Sequence, residues 1–327
     1  MITALVTGGT GFVGSHVARA LVARGYRVRI LRRATSRLDL IADLDCEHAI
    51  GDVTDYNSLL AAMQGVTWVF HVAAVADYWR NDPARIYAVN VDGTRNVLRA
   101  AEASGVRRVI FTSSAAAIGY RTDLRAVDET VRFNWDQHLT PYGHSKFLAE
   151  AEVYRAIRRG LDCVILNPTV IIGPGDLNQI SSSVVLEMAR GNVPPTVPPG
   201  GVTVIDVRDV AAAHVAAAER GRTGERYLLG AVDLTHKAWL RLTAETVGRR
   251  MAAFPLPAWL VMALAWLADL LRGVGVALPI EGNQLRLSTR MMFFNCQKAW
   301  RELGEPQIPI RQSLRDTYEW YKAHGEL

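Results

Sequence analysis

The opening of the chain constrains its fold more than any other stretch. Ala4-Leu5-Val6-Thr7 is a short apolar run. Gly8-Gly9-Thr10-Gly11-Phe12-Val13-Gly14 follows, and Ser15 to Arg24 has the apolar spacing of an amphipathic helix. Strand, tight glycine turn and helix N-terminus, in that order, form the βα corner that seats a pyrophosphate. Gly8 is placed to take a positive φ. Gly11 lets backbone approach phosphate with no Cβ between them, and Gly14 lets the helix pack closely on the strand. The free N–H groups and dipole of the new helix favour an anion. The glycines are spaced G-x-x-G-x-x-G rather than the commoner G-x-G-x-x-G.

Apolar runs and helical patterns then alternate through the first two-thirds. Strands are predicted at Ala4–Thr7, Arg27–Leu31, Glu47–Ile50, Trp68–Val72, Arg108–Thr112 and Cys163–Asn167. Helices are predicted at Ser15–Arg24, Tyr56–Met63, Ile86–Ser104 and Tyr142–Arg159. This alternation implies an α/β fold, a doubly wound parallel sheet of Rossmann type with helices on both faces. Ligands of such sheets bind beyond the carboxyl ends of the strands. After Gly173 the pattern loosens: 193–201 reads as a loop, 204–220 as strand plus helix, and 251–327 as irregular helix. The expected organisation is a cofactor-binding part, residues 1–175 with 202–235. A smaller, mostly helical substrate-binding part, 176–201 with 236–327, caps the cleft.

With 327 residues, half of them hydrophobic, the chain can bury a large core. Its formal charge of +5 forms no basic stripe, so nucleic acid is not an expected partner. Cys46, Cys163 and Cys296 are too few and too scattered for a disulfide framework, and no histidine spacing suggests a metal site. With a strand directly after Met1 and no signal peptide, the cytoplasm is the expected compartment. The apolar run 256–268, closed by Asp269 and Arg272, is too short to span a bilayer. It is expected to be a buried helix or pocket wall, with shallow peripheral membrane contact as the alternative.

Tyr142-Gly143-His144-Ser145-Lys146 places a tyrosine and a lysine four apart on one helical face. A nearby ammonium lowers a phenol's pKa from about 10, which suits proton transfer to or from an alcohol oxygen. The pair lies one helix after a strand ending in Phe111-Thr112-Ser113-Ser114, whose hydroxyls can reach the same cleft.

With these residues assembled, the chain resembles the extended short-chain dehydrogenase/reductase superfamily, from Met1 to about Tyr227 and more loosely beyond. Thr7–Gly14 matches T-G-x-x-G-x-x-G, and Gly51-Asp52-Val53-Thr54-Asp55 matches G-D-[LV]-x-D. His71-Val72-Ala73-Ala74 matches the segment lying against the cofactor, and Tyr87–Thr94 matches Y-x-x-N-V-x-G-T. Asn167-Pro168-Thr169 and Ile172–Gly175 match the N-P-x-x-[VI]-x-G-P turn. The resemblance implies that Tyr142 is the general acid/base and that Lys146 lowers its pKa and holds the nicotinamide ribose. It further implies that Ser114, rather than Ser113, bonds the substrate oxygen, and that Asn90 supports the lysine through a water. Cofactor contacts are implied for Gly8, Thr10, Gly11, Phe12, Val13, Asp52, Val53, Val72, Ala73, Ala74, Thr112, Tyr142, Lys146, Asn167, Pro168, Thr169 and Val170. Substrate contacts are implied for Ser114, Tyr142, Asn167 and Trp79. Related enzymes dimerise through two helices per subunit, which makes a homodimer the expectation.

The second strand ends in Leu31-Arg32-Arg33, with Arg37 nearby and no acid before Asp39. Guanidinium groups suit a 2′-phosphate, whereas an acid suits a ribose hydroxyl. The reading is NADP(H), with Arg33 the principal contact and Arg32 and Arg37 secondary; NAD(H) is the alternative.

Two subfamilies are similar: hopanoid-associated sugar epimerase-like proteins, and the group resembling dihydroflavonol 4-reductase and 3β-hydroxysteroid dehydrogenase. Sugar-nucleotide enzymes carry a diphosphate-clamping arginine where this chain has Val202. Trp259, Met262, Trp266, Met291, Met292, Phe293 and Phe294 could line an apolar pocket or pack a core. The expected function is therefore a reductase or dehydrogenase acting on a hydrophobic carbonyl–alcohol pair. A sugar epimerase or dehydratase is the alternative, and a cofactor-sensing regulator a distant third.

Overall fold

Adjacent residues of the first strand point into opposite cores. In the computed structural model, which describes residues 2–76, 82–121, 125–137, 140–251, 253–276 and 282–327, Ala4 and Val6 face one layer of helices and Leu5 the other. That two-residue period, buried on both sides, is what a central parallel strand requires.

Among the described residues the main sheet holds β1 (Thr3–Thr7), β2 (Arg27–Arg32), β3 (Glu47–Ile50), β4 (Trp68–His71), β5 (Arg108–Thr112), β6 (Cys163–Pro168) and β10 (Arg226–Leu229). They run parallel in the order β10-β6-β5-β4-β1-β2-β3. The chain reverses direction across the sheet between β1 and β4, and the carboxyl ends there open a crevice. On one face pack α1 (Phe12–Ala23), α7 (Val207–Arg220) and α11 (Gln297–Leu303), through Val17, Leu21, Val210 and Leu303. On the other pack α2 (Tyr56–Ala62), α4 (Gly93–Ala103) and α5 (Pro141–Arg158), through Leu59, Val97, Leu98 and Val153.

The six predicted strands lie where expected. The predicted helix 86–104 does not form as one element. It divides into α3 (Pro83–Tyr87), a π-helical turn Ala88–Asp92, and α4. A one-residue widening leaves the 3.6-residue apolar spacing nearly intact, so periodicity cannot reveal it.

Beyond Gly173 the structure is more regular than the sequence suggests. β7 (Val170–Ile172), β9 (Gly201–Asp206), β11 (Val232–Thr235) and β13 (Met291–Met292) form a second sheet centred on β9. β8 (Thr196–Val197), inside the expected loop, pairs with β12 (Phe254–Pro255). Strands of two to four residues are too short to display a period. α6 (Ser183–Arg190), α8 (His236–Thr246), α10 (Gly282–Ser288) and α12 (Ile310–Ala323) complete this side.

The largest departure is α9 (Ala258–Gly273). The expectation of a buried helix or pocket wall holds only for Val261, Ala265, Ala268 and Met262; most of the apolar surface faces outward, Trp259 and Trp266 included. α9 packs chiefly on the short α10. Among the described residues, no helix is long and apolar enough to cross a membrane.

Candidate active site

The glycine turn is built to hold an anion. Gly8 adopts φ +70°, and a Cβ there would lie 2.8 Å from the backbone of Ala73. A Cβ on Gly14 would collide with the Gly8 carbonyl, so this glycine seats the helix on the turn itself rather than on a strand. α1 begins at Phe12 with Gly11 as its cap and no side chain bonded to its first N–H groups. Those donors open into a cleft of about 1190 Å³, a volume that suits a dinucleotide with a substrate beside it.

Thr10, Gly11, Phe12, Val13, Asp52, Val53, Val72, Ala73, Ala74, Thr112, Pro168, Thr169 and Val170 line this cleft, as do Gly8, Arg32, Arg33 and Arg37. Arg32 bonds His48, and Arg37 pairs with Asp39 at 2.8 Å. Among the described residues no ion pair engages Arg33. Asp52 accepts from the amide and hydroxyl of Thr54, which holds its carboxylate at the rim.

The wall between turn and catalytic helix is fixed by His71, which is fully buried. The Thr94 hydroxyl donates to the Asn90 carbonyl at 2.6 Å, so toward His71 Nε2 it must accept, at 2.9 Å. His71 is thus the Nε2–H tautomer, and its Nδ1 accepts from the Thr7 hydroxyl at 2.8 Å. Thr7 Oγ1 in turn accepts from the Ala73 amide. One chain of hydrogen bonds links the cofactor-facing strand end to the π-helical turn. His214 works similarly: its Nδ1–H donates to the Val210 carbonyl and its Nε2 accepts from Thr112.

Burial holds both imidazoles neutral, pulling His71 down to about 3 and His214 to about 4 from an ordinary 6.5. Below 6.5 the unfolded chain binds protons that the folded chain refuses. Stability is therefore lost as pH falls from about 6.5 toward about 4 for His214 and about 3 for His71. Thermal unfolding should show a lower Tm at about pH 5 than at about pH 7. His214→Gln, which keeps a donor and an acceptor, should flatten the slope; an unchanged slope would exonerate His214.

Tyr142 and Lys146 lie in the first turns of α5, where Pro141 starts the helix. Tyr142 shares a hydrogen bond with Ser114, whose hydroxyl also accepts from the Ala116 amide. Ser113 turns away and donates to Glu150 at 2.5 Å. Lys146 Nζ donates to the Thr112 carbonyl at 2.8 Å and lies over the Phe111 ring. Burial raises the Tyr142 phenol to about 12, against the pull of the Ser114 bond. Burial also draws Lys146 down to about 7, with the Glu150 carboxylate opposing. Burial is therefore the dominant influence on both groups.

Two expected site residues stand behind the cleft rather than in it. Asn167 is fully buried, and its amide nitrogen donates to the Ser114 carbonyl (2.9 Å) and to Glu150 (2.7 Å). Asn90 grips the Val75 main chain at both N–H and C=O and donates to Ser145 Oγ. Its direct partners are therefore the Val75 main chain and Ser145 of α5. Trp79 lies outside the described residues.

Glu150, which the sequence reading missed, gathers this region. It accepts from Ser113 and Asn167 and pairs with Arg226 at 3.2 Å. The signal was available: Glu150 is four residues beyond Lys146, and an acid on the buried face of a helix needs partners.

Trp135, Val202, Leu287, Met292 and Phe294 also line the cleft that contains Tyr142. Arg208 is held by Asp206 and Asp316. Phe293 packs against Gly201 instead of the cleft, and Met291 is exposed. Among the described residues no cluster of His, Cys, Asp and Glu could hold a metal ion.

A switch-point crevice, a phosphate-ready glycine turn and a Tyr–Lys pair with a serine define an NAD(P)-dependent, oxidoreductase-type enzyme. Residues 4–230 match the NAD dependent epimerase/dehydratase family, and the chain belongs to it. It is 38% identical over 98% of its length to a Synechocystis sp. protein that carries the name "Putative dihydroflavonol 4-reductase", covering 94% of that protein. It is 32% identical to sterol demethylase protein B of Methylococcus capsulatus, covering 100% of both chains. The crystal structure of gox2253 superposes with a TM-score of 0.89 at 38% identity, covering 100% of both chains.

Proposed function

We propose that this enzyme interconverts a carbonyl and an alcohol on a hydrophobic small molecule, using NADP(H). The observation that carries the reading is the set of apolar side chains Trp135, Val202, Leu287, Met292 and Phe294 in the cleft that contains Tyr142, with Val202 where a diphosphate-clamping arginine would stand. The words reductase and sterol in the relatives' names agree with it.

The residues fit the cofactor: the glycine turn offers unengaged helix N–H groups to a pyrophosphate, and Arg33 offers a guanidinium to a 2′-phosphate. A bound nicotinamide supplies or accepts the hydride. In the reducing direction Tyr142 gives its phenolic proton to the substrate oxygen as that oxygen gains charge, and Ser114 donates a second hydrogen bond to it. Lys146, held at the end of β5 by the Thr112 carbonyl, stabilises the resulting phenolate. Asn90 and Asn167 are positioning residues: one fixes Val75 and Ser145, the other the Ser114 carbonyl.

Arg33→Asp should reverse cofactor preference, weakening NADPH relative to NADH by at least about tenfold, the weight of one charge-assisted hydrogen bond. Unchanged relative affinities in a fluorescence titration would refute that contact.

The functional test follows NADPH absorbance with apolar ketones and aldehydes, flavanonols, steroids and nucleotide sugars. Net oxidation with an apolar carbonyl is expected. Isomerisation of a sugar without net oxidation would sink the reading and establish an epimerase.

A further inference from the structure

A surface helix ordinarily turns charge toward water, and α9 does not. Its buried side is Val261, Ala265 and Ala268. The opposite side presents Trp259 (71% exposed), Trp266 (71%) and Leu270 (66%), a stripe at spacings of seven and four. Phe254, on β12 just before the helix, is 62% exposed. Contiguous apolar surface of this kind marks an interaction site.

The composition of the patch indicates its occupant. Tryptophan combines an apolar body with a polar N–H, the chemistry of a membrane–water boundary. α9 itself carries only Asp269 and Arg272 as charges, and Asp269 is tied to Arg286 at 2.5 Å. Along the sequence from 249 to 290, five arginines (Arg249, Arg250, Arg272, Arg286 and Arg290) stand against two acids, an excess of positive charge in the segment that carries the helix. An apolar face on a segment with net positive charge complements an anionic bilayer, and a 16-residue helix is too short to cross one.

α9 also adjoins the cleft. Met262 shares a cavity of about 200 Å³ with Trp135, Thr140 and Leu287, and those three residues also line the cleft containing Tyr142.

We infer that α9 docks on an anionic bilayer surface, with Trp259 and Trp266 at headgroup depth, and that the cleft takes its substrate from that surface. The substrate class is then a membrane-resident amphiphile bearing a carbonyl or alcohol, a refinement that rests on the reductase reading above.

The test uses sedimentation with vesicles of phosphatidylcholine and phosphatidylglycerol at about 70:30, and of phosphatidylcholine alone. The whole chain should bind the anionic vesicles, less so at about 0.5 M salt, with a blue shift of tryptophan emission. A triple variant, Trp259→Ser, Trp266→Ser and Leu270→Ser, should lose at least tenfold in partition while its Tm stays unchanged, because all three sites are exposed. Absence of lipid-dependent sedimentation would overturn the docking. So would a wild-type dimer that the triple variant breaks while vesicles remain unbound, since a second copy would then own the face.

A separate arm compares reduction of a steroid ketone held in vesicles with that of a water-soluble aldehyde. The triple variant should lose at least fivefold on the first and nothing on the second; equal rates on both would overturn delivery from the membrane. No turnover of either by the wild type would count against the reductase reading, and the sedimentation result would still decide the docking.

Discussion

Tyr142→Phe is expected to lower kcat by about 10²–10⁴-fold, the range general acid–base catalysis contributes. NADPH affinity should change little, because the phenyl ring still fills its place in α5. The hydroxyl is the only group removed, and its partner Ser114 retains the Ala116 amide. The phenol's elevated pKa, about 12, gives the experiment a second readout. Proton donation in the reducing direction should persist well above neutral pH, since a protonated phenol is the donor. Pre-steady-state NADPH oxidation would separate the chemical step from release. Turnover within a factor of about three of wild type would remove Tyr142 from the reaction.

The second large effect is on the scaffold. Glu150→Leu leaves the Arg226 guanidinium, itself mostly buried, without its carboxylate. It also removes the acceptor for Ser113 and Asn167. Breaking one partner of a buried pair costs about 3–5 kcal/mol, so chemical denaturation should show an unfolding free energy lower by that amount and a correspondingly lower midpoint. Adding Arg226→Leu should recover part of the loss, because the uncompensated charge then disappears. Glu150→Gln keeps an oxygen acceptor and should cost less. In it the carboxylate that opposes the depression of Lys146 is gone, so the ammonium should lose its proton at lower pH than in wild type. A double variant no more stable than Glu150→Leu would mean that the pair is not the origin of the loss.

These two predictions draw on different kinds of information. Tyr142, Lys146 and the glycine turn were legible because their chemistry is local. A tyrosine and lysine four residues apart share a helix face, and a glycine run between an apolar strand and a helix is a phosphate turn in almost any context. β1, β4, β5 and β6 were legible because both faces of a central parallel strand are buried, which writes apolar runs into the sequence, whereas β2 alternates and the edge strand β3 is largely exposed. Arg32, Arg33 and Arg37 were readable as a group from their position after β2. That Arg32 and Arg37 are engaged by His48 and Asp39 while all three line the cleft came only from the fold.

Other features depended on partners far away in the chain. Asn90 and Asn167 are motif residues, yet their side chains are directed to Val75, Ser145, Ser114 and Glu150, contacts between 15 and 55 residues distant in sequence. The π-helical turn at Ala88–Asp92 left the apolar periodicity intact and so was hidden. The apolar run of α9 shows the same limit from the other side. Hydrophobicity states that a segment prefers to leave water, but whether protein covers it depends on what packs alongside. Here α10 is the main neighbour, and Trp259 and Trp266 remain in the open. The sequence alone determined the doubly wound sheet, the anion-binding turn and the Tyr–Lys pair, because each is set by residues within about one turn or strand of one another. The buried Glu150–Arg226 pair, the tautomer of His71, the gathering of Val202, Met292 and Phe294 into the cleft of Tyr142 and the uncovered face of α9 were decided by tertiary structure, because burial is a property of neighbours that sequence order does not supply.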